Sequence, residues 1–404
     1  MISVAEARAR ILAGLTVLPA EQVGVAEAWG RVLAEDVTAR VTQPPLDVSA
    51  MDGWAVRAAD VASVPARLTA IGAVPAGARA GRPVGPGEAM RIFTGAPLPA
   101  GADAVVLQED ADRDGDVVVV REGVAARRHV RRAGLDFAAG DTPLHAGRVL
   151  STRDVGLIAA MNVPWLLVRR RPRVAILATG DEIVLPGEAT GPTRIVSSNS
   201  FTLAALVRAT GGEPVVLGIA RDDAASLKAM AAGAHGADML VTTGGASVGD
   251  HDLVQSVLGE VGLAIDFWQI AMRPGKPLMS GRFGAVPMLG LPGNPVSSMV
   301  CALLFLRPAL EALLGVDRPA TPPEMALLGR DLPANDRRED YMRASLGWNE
   351  AGDEIAMPFM MQDSSNFSRL ALGDCLVIRP PHAPAAKAGA RVPILRLGGA
   401  LAGI

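Results

Sequence analysis

Between residues 173 and 315 the chain alternates short apolar runs with segments of helical spacing, and this rhythm limits its possible folds more than any other feature. RVAILATG (173–180), EPVVLGIA (213–220), DMLVTTGG (238–245), IDFWQIA (265–271) and VPMLGL (286–291) read as strands. Helices are predicted within 193–212, where a glycine pair ends the run, and over 224–234, 253–261 and 297–315. Strands that are apolar throughout are buried on both faces, which requires a mainly parallel sheet covered by helices.

The flanks have a different texture. Residues 3–18 predict an amphipathic helix, with Ser3 as N-cap and Glu6 closing a capping box. From about 40 to 150, Pro and Gly punctuate β-branched runs such as DAVVLQ (103–108) and DVVVVREG (116–123), which predicts many short strands. A second helix is expected over 151–163, and Val163-Pro164 closes it. Beyond a proline-rich linker at 317–325, strands are predicted at 342–348, 375–381 and 392–397. The fold class is multidomain α/β: a β-rich N-terminal region over 1–170, a central α/β sandwich over 171–316, and a small barrel-like β domain over 322–404.

Composition excludes several classes. Thirty-nine cations against 42 carboxylates leave −3, too little positive field to hold nucleic acid or an anionic membrane. Half of the residues are apolar, unlike a disordered chain. Two cysteines, Cys301 and Cys375, cannot build a disulfide framework, so a reduced, cytoplasmic chain is expected. No apolar run reaches the ~20 residues of a membrane helix, and the charged N-terminal helix is no signal peptide.

In an open parallel sheet, ligands bind beyond the carboxyl ends of the strands. Read to those ends, the strands run into TGDE (179–182), RDD (221–223), TTGGASVGDHD (242–252), MRPGKP (272–277) and LPGNPVSS (291–298). Asp181, Glu182, Asp222, Asp223, Asp250 and Asp252 thus share one rim with Arg273, Lys276 and glycine-rich turns. That combination suits a phosphorylated ligand with Mg²⁺, which takes oxygen donors and shares them with phosphates. Gly244, Gly245 and Ser247 offer close backbone approach or form a plain tight turn. Ser297 and Ser298 begin a helix, where they favour an anion or merely cap. His251 reads as a solvated neighbour of the acids. No Walker A or GxGxxG pattern occurs in the chain.

PPLDVSAMDGWAVR (44–57), RIFTGAPLPAGADAVVLQED (91–110), ILATGDE (176–182), VTTGGASVGDHD (241–252), MRPGKP (272–277) and GLPGNPVSS (290–298) occur in one order across nearly the whole chain. Together they resemble the molybdopterin molybdenumtransferase family, the MoeA proteins and the E domain of gephyrin. The resemblance implies insertion of molybdate into adenylylated molybdopterin, with Mg²⁺ required and AMP released. It also implies a homodimer whose cleft combines two subunits, a split N-terminal region with a β subdomain inserted at about 45–145, and the upstream molybdopterin adenylyltransferase as a partner. Carried over by position, the family's acids fall on Asp52, Asp136, Glu182, Asp222 and Asp252, with Lys276 completing the catalytic set. Substrate contacts fall on Thr94, Gly244, Gly245, Ser247, Arg273, Pro292, Pro295, Ser297, Arg343 and Ser364. Glu182, Asp222, Asp250 and Asp252 are the expected metal ligands. Trp54 stands where relatives usually carry Tyr, Gln269 and Arg273 where many carry Lys, and Asp363 where they carry Gly.

Two rival readings are a molybdopterin adenylyltransferase and a scaffold of the gephyrin E-domain type. The extra N- and C-terminal domains argue against the first. Six acids and a lysine on one rim argue against the second.

Overall fold

The computed structural model describes residues 1–244, 259, 262–318 and 322–397. The predicted helix at 253–261 lies outside the described residues.

The central sheet has six strands in the order Glu213–Ala220, Arg173–Thr179, Met239–Thr243, Val286–Leu291, Pro277–Phe283, Leu263–Gln269. The first four are mutually parallel, whereas Pro277–Phe283 runs antiparallel to both of its neighbours. That strand is absent from the sequence reading because PLMSGRF breaks its apolar run with Ser, Gly and Arg. It is specified instead by the turn at Gly284 (φ +58°), which folds it back onto Val286–Leu291. Gly281 is also fixed there, since a Cβ would lie 2.2 Å from the Ala264 carbonyl oxygen. With this strand inserted, Leu263–Gln269 still points the same way as the parallel four. All the loops named above therefore leave at one end.

Asn199–Ala209 packs with the long closing helix on one face of the sheet, and Ala224–Ala231 covers the other. The closing helix runs Pro295–Leu313, with a π-turn over Ala302–Leu306 just before Pro308. Proline lacks an N–H and crowds the preceding turn, so a locally widened turn lets the helix continue past it. Its 19 residues are long and apolar enough to cross a membrane. Two-thirds of its apolar window is instead buried, with Val300, Phe305 and Leu310 in the main core.

The N-terminal helix spans Val4–Ala13, shorter than 3–18. Ser3 caps it by accepting from the Glu6 amide at 3.1 Å, but the Glu6 carboxylate takes Arg10 rather than closing a capping box. Val4, Ala7 and Ile11 pack into the core of the α/β unit. The chain then forms a ribbon, Ala20–Gly24 against Trp165–Arg169, with its own cluster around Leu33, Ile158 and Met161. The second helix, Thr152–Ala160, has a true capping box between Ser151 and Asp154. A six-stranded sheet is inserted between these parts, entered and left through the pair Val48–Ser49 and Val130–Arg131.

The C-terminal strands form a third six-stranded sheet that curls closed, because Glu339–Trp348 pairs with both Glu354–Pro358 and Cys375–Arg379. Its edge strand, Met272–Arg273, is borrowed from the α/β unit. Tyr341, Leu370 and Leu376 of this barrel lie in the same apolar cluster as Met272 and Phe305. Truncating Phe305 removes a fully buried ring from the centre of that cluster. Phe305→Ala is expected to cost about 3–5 kcal/mol in a chemical denaturation. A loss under 1 kcal/mol would show that the cluster does not carry the fold.

Candidate active site

The carboxyl end of the central sheet is built by cross-strand restraints. Thr179 ends the first strand, buried, and its Oγ1 has no partner among the described residues. Gly244 lies directly over it at φ +93°, and a Cβ there would be 2.5 Å from the Thr179 carbonyl oxygen. Only glycine accepts both that backbone conformation and that approach. The Asp181 carboxylate accepts from the Asp222 amide at 3.2 Å, tying the TGDE turn to the RDD turn. Asp223 is used as the cap of Ala224–Ala231, accepting from the Ser226 amide at 2.7 Å. Glu182 and Asp222 are left exposed at the rim.

Asn199 is the residue that sequence reasoning missed here. Its Nδ2 donates to Thr243 Oγ1 at 2.7 Å and to the Gly293 carbonyl oxygen at 2.8 Å. One amide thus joins a helix start, a strand end and the PGNP turn. In the sequence, SSNS before a helix reads as capping. Yet Ser198, at the N-cap position, makes no side-chain cap bond.

The PGNP turn places Pro292 against the Thr243 hydroxyl and starts a helix at Pro295. Ser297 and Ser298 are buried in its first turn, and Ser298 Oγ has no partner among the described residues. The C-terminal barrel closes on this turn: Asn294 Nδ2 donates to Ser364 Oγ at 3.0 Å, and the Val296 amide to the Ser364 carbonyl at 3.1 Å. Beside Ser364 lies Arg343, only 1% exposed. Its Nη1 donates to the Asp363 carbonyl at 2.7 Å and its Nε to Gln362 Oε1 at 3.2 Å, while Nη2 has no partner among the described residues. Burial pulls the Arg343 guanidinium down from its ordinary pKa, against the opposing charge of Asp363. Asp363 itself is held below the usual carboxylate range by the Ser365 hydroxyl and amide, so its charge is turned into a local loop bond.

The two cations of the MRPGKP loop differ. Lys276 is half-buried, and its ammonium makes no hydrogen bond or ion pair with a described residue. Arg273 is expected from sequence to offer its charge to substrate; its side chain stays half exposed while it is held within the protein. Its fork is engaged by Asp340, with Asp336 at 3.5 Å, so two carboxylates already neutralise it.

Asp52, Thr94 and Asp136 lie in a different unit. The Asp52 carboxylate accepts from the Thr94 amide and hydroxyl, both at 2.7 Å. The loop is fixed because Gly53 has no room for a Cβ, which would meet the Val106 carbonyl oxygen at 1.9 Å. Asp136 lines a cleft of about 510 Å³ at the neck of the inserted sheet, with Arg79, Arg131 and Leu46. Gly245, Ser247, Asp250, His251 and Asp252 lie outside the described residues. Among the described residues no three Asp, Glu, His or Cys side chains converge on one point. The described rim contributes oxygen donors alone, Glu182 and Asp222, which suits a hard ion that also takes phosphate oxygens.

An α/β sheet with its loops gathered at one rim, flanked by an inserted β domain and a β barrel, defines a multidomain α/β ligand-binding protein. Residues 175–312 match the family described as a probable molybdopterin binding domain. Residues 2–162 match the MoeA N-terminal region, domains I and II, and residues 325–397 match the MoeA C-terminal region, domain IV. A molybdopterin molybdenumtransferase of Nostoc sp. is 35% identical over 93% of this chain and 88% of its own length. One from Haemophilus influenzae is 32% identical over 98% of both. The crystal structure of a molybdopterin biosynthesis MoeA protein from Pyrococcus horikoshii superposes with a TM-score of 0.84 at 29% identity, covering 98% of this chain and 99% of that one. The chain belongs to the MoeA family.

The Thr94 amide and hydroxyl hold Asp52 ionised below the usual carboxylate range. Donors to the charged form lower a pKa, so Thr94→Val, which keeps the amide but loses the hydroxyl, is expected to raise it part of the way back. Any stability from these bonds is present above the unfolded value of about 3.9 and fades as pH falls through the lower folded value. A carbon-detected NMR titration of Asp52 reads the shift. An unchanged or lower value in Thr94→Val would contradict the assignment.

Proposed function

We propose that the chain inserts molybdate into adenylylated molybdopterin and releases AMP in a Mg²⁺-dependent reaction. It is a transferase of molybdenum cofactor biosynthesis, as its relatives are named. The observation that carries the finer reading is the buried Arg343 guanidinium beside Ser364, whose Nη2 has no partner among the described residues. A buried cation with an unmet donor is stable opposite an anion, and a tetrahedral oxyanion presents acceptors in several directions. Lys276 supplies a second charge that no described carboxylate neutralises.

Opening the phosphoanhydride builds charge on phosphate oxygens, so positioned donors and cations supply most of the catalysis. The backbone at Gly244 and at the start of Pro295–Cys301 would receive the phosphates, where helix N–H groups favour anions. Glu182 and Asp222, with Asp250 and Asp252, would hold the Mg²⁺. That ion would screen the substrate's charge from the acid rim. Lys276, Ser297, Arg343 and Ser364 would orient molybdate. Asp52, Thr94 and Asp136 belong to the N-terminal region, so in this reading they complete the rim of a second copy, and the active unit is a homodimer. The substrate is the product of an upstream adenylyltransferase, a natural partner. The two free, buried cysteines fit a reducing, cytoplasmic setting.

The test is AMP release by the purified chain, leaving out molybdate and Mg²⁺ in turn. AMP is expected only when both are present. Glu182→Ala and Asp222→Ala should each lower the rate by on the order of 10²–10³. A mixed dimer of Asp52→Ala and Asp222→Ala chains should recover part of it. AMP formed equally fast without molybdate would sink metal insertion. Consumption of ATP with release of pyrophosphate would mark an adenylyltransferase instead.

A further inference from the structure

We propose that Arg273 is a positioning residue: it holds the C-terminal barrel in register with the α/β rim and does not itself touch the oxyanion. The proposal rests on the reading of Lys276, Arg343 and Ser364 as an oxyanion site.

Three observations converge on it. First, the guanidinium is spent within the protein. Nε donates to Asp340 Oδ1 at 2.6 Å and Nη2 to the other oxygen of the same carboxylate, while Nη2 also lies 3.3 Å from Asn335 Oδ1. Asp336 stands 3.5 Å from Nη1. With Arg273 and Arg338 set against Asp340 and Asp336, the cluster is close to neutral, so Arg273 has little charge left to attract a second anion. Second, the barrel side of this contact is rigid. Asp340 is 7% exposed, and Asn335 Nδ2 donates to the carbonyls of Arg338, Arg379 and Pro380. Arg338 holds Asp336 in turn and keeps its carboxyl ionised down to about 2.

Third, the clamp sits where register matters. Met272–Arg273 pairs in parallel with Glu339 and Asp340, and the Glu339 amide donates to the Ala271 carbonyl at 2.9 Å. The strand Glu339–Trp348 continues to Arg343. At about 3.3 Å per residue, a slip of one position would move Arg343 by about 3.3 Å, far beyond the tolerance of a hydrogen bond. On its other side Arg273 leads through Pro274 and Gly275 to Lys276. Gly275, at φ +107°, is pressed against Cys301, where a Cβ would come within 2.5 Å of the sulfur. One ion pair therefore fixes the strand that carries Arg343 against the loop that carries Lys276. The fork is what does this: lysine would keep the charge but not the two-point contact.

The test uses the full chain with Arg273→Lys, Asp340→Asn and the charge-reversed pair Arg273→Asp with Asp340→Arg. Two quantities are read: hydrogen exchange at the Glu339 amide, and the affinity for tungstate by calorimetry. Both single variants are expected to speed exchange and weaken tungstate binding together, each roughly tenfold. The reversed pair should recover both. Arg273→Lys losing tungstate while exchange stays slow, with Asp340→Asn unaffected, would mean that Arg273 binds the oxyanion itself and would overturn the proposal. Faster exchange in Asp340→Asn with unchanged tungstate affinity would overturn it as well. A wild-type chain that binds no tungstate would sink the oxyanion site, whereas faster exchange in the variants would still uphold the clamp.

Discussion

The α/β unit and the C-terminal barrel share one apolar core, and the geometry of the site depends on that sharing. Val300 and Phe305 of the closing helix, Met272 before the MRPGKP loop, and Tyr341 and Leu376 of the barrel belong to a single cluster. Burial of this kind is non-directional, so it holds the two units together without setting their register. Register comes from directed contacts at either side of the cluster. These are the Arg273–Asp340 pair with its short strand pairing, and the bonds from Asn294 and Val296 to Ser364. Arg343 stands three residues along its strand from Asp340, and Lys276 three residues along the loop from Arg273.

Much of the fold is legible in the sequence because apolar periodicity reports burial. The strands at 173–179, 239–243 and 286–291 are largely buried and read as apolar runs, while 213–220, at the sheet edge, is only partly buried. Pro277–Phe283 escapes the same reading because its place is set by a hairpin turn and by glycine contacts, which leave no apolar period. The rim loops are legible as well, since a parallel sheet gathers the ends of its strands whatever the chain does afterwards. Partnership is what cannot be read. Arg273 and Lys276 stand three residues apart in one motif, yet one is paired with carboxylates more than sixty residues downstream, while the other has no carboxylate partner among the described residues. Asn199 likewise looks like a capping residue until the fold brings Thr243 and Gly293 to it.

The resulting division of labour is electrostatic. Exposed acids on the α/β rim suit a divalent ion with phosphates, while cations nearer the barrel suit a second, compact anion. Asp363 lies next to that second place but directs its charge into Ser365, and its carbonyl oxygen receives Arg343. The backbone of Asp363 thus orients the guanidinium, while its carboxylate stays ionised and braces the loop through Ser365.

The account's central claim is that the open edge of Arg343 binds the oxyanion. Anomalous diffraction from crystals soaked in tungstate, a heavy mimic of molybdate, tests it most directly. The account predicts one strong peak within hydrogen-bond distance of Arg343 Nη2, with Lys276 Nζ turned toward it. A peak found only elsewhere, or an ordered water satisfying Nη2 while tungstate is excluded, would contradict it.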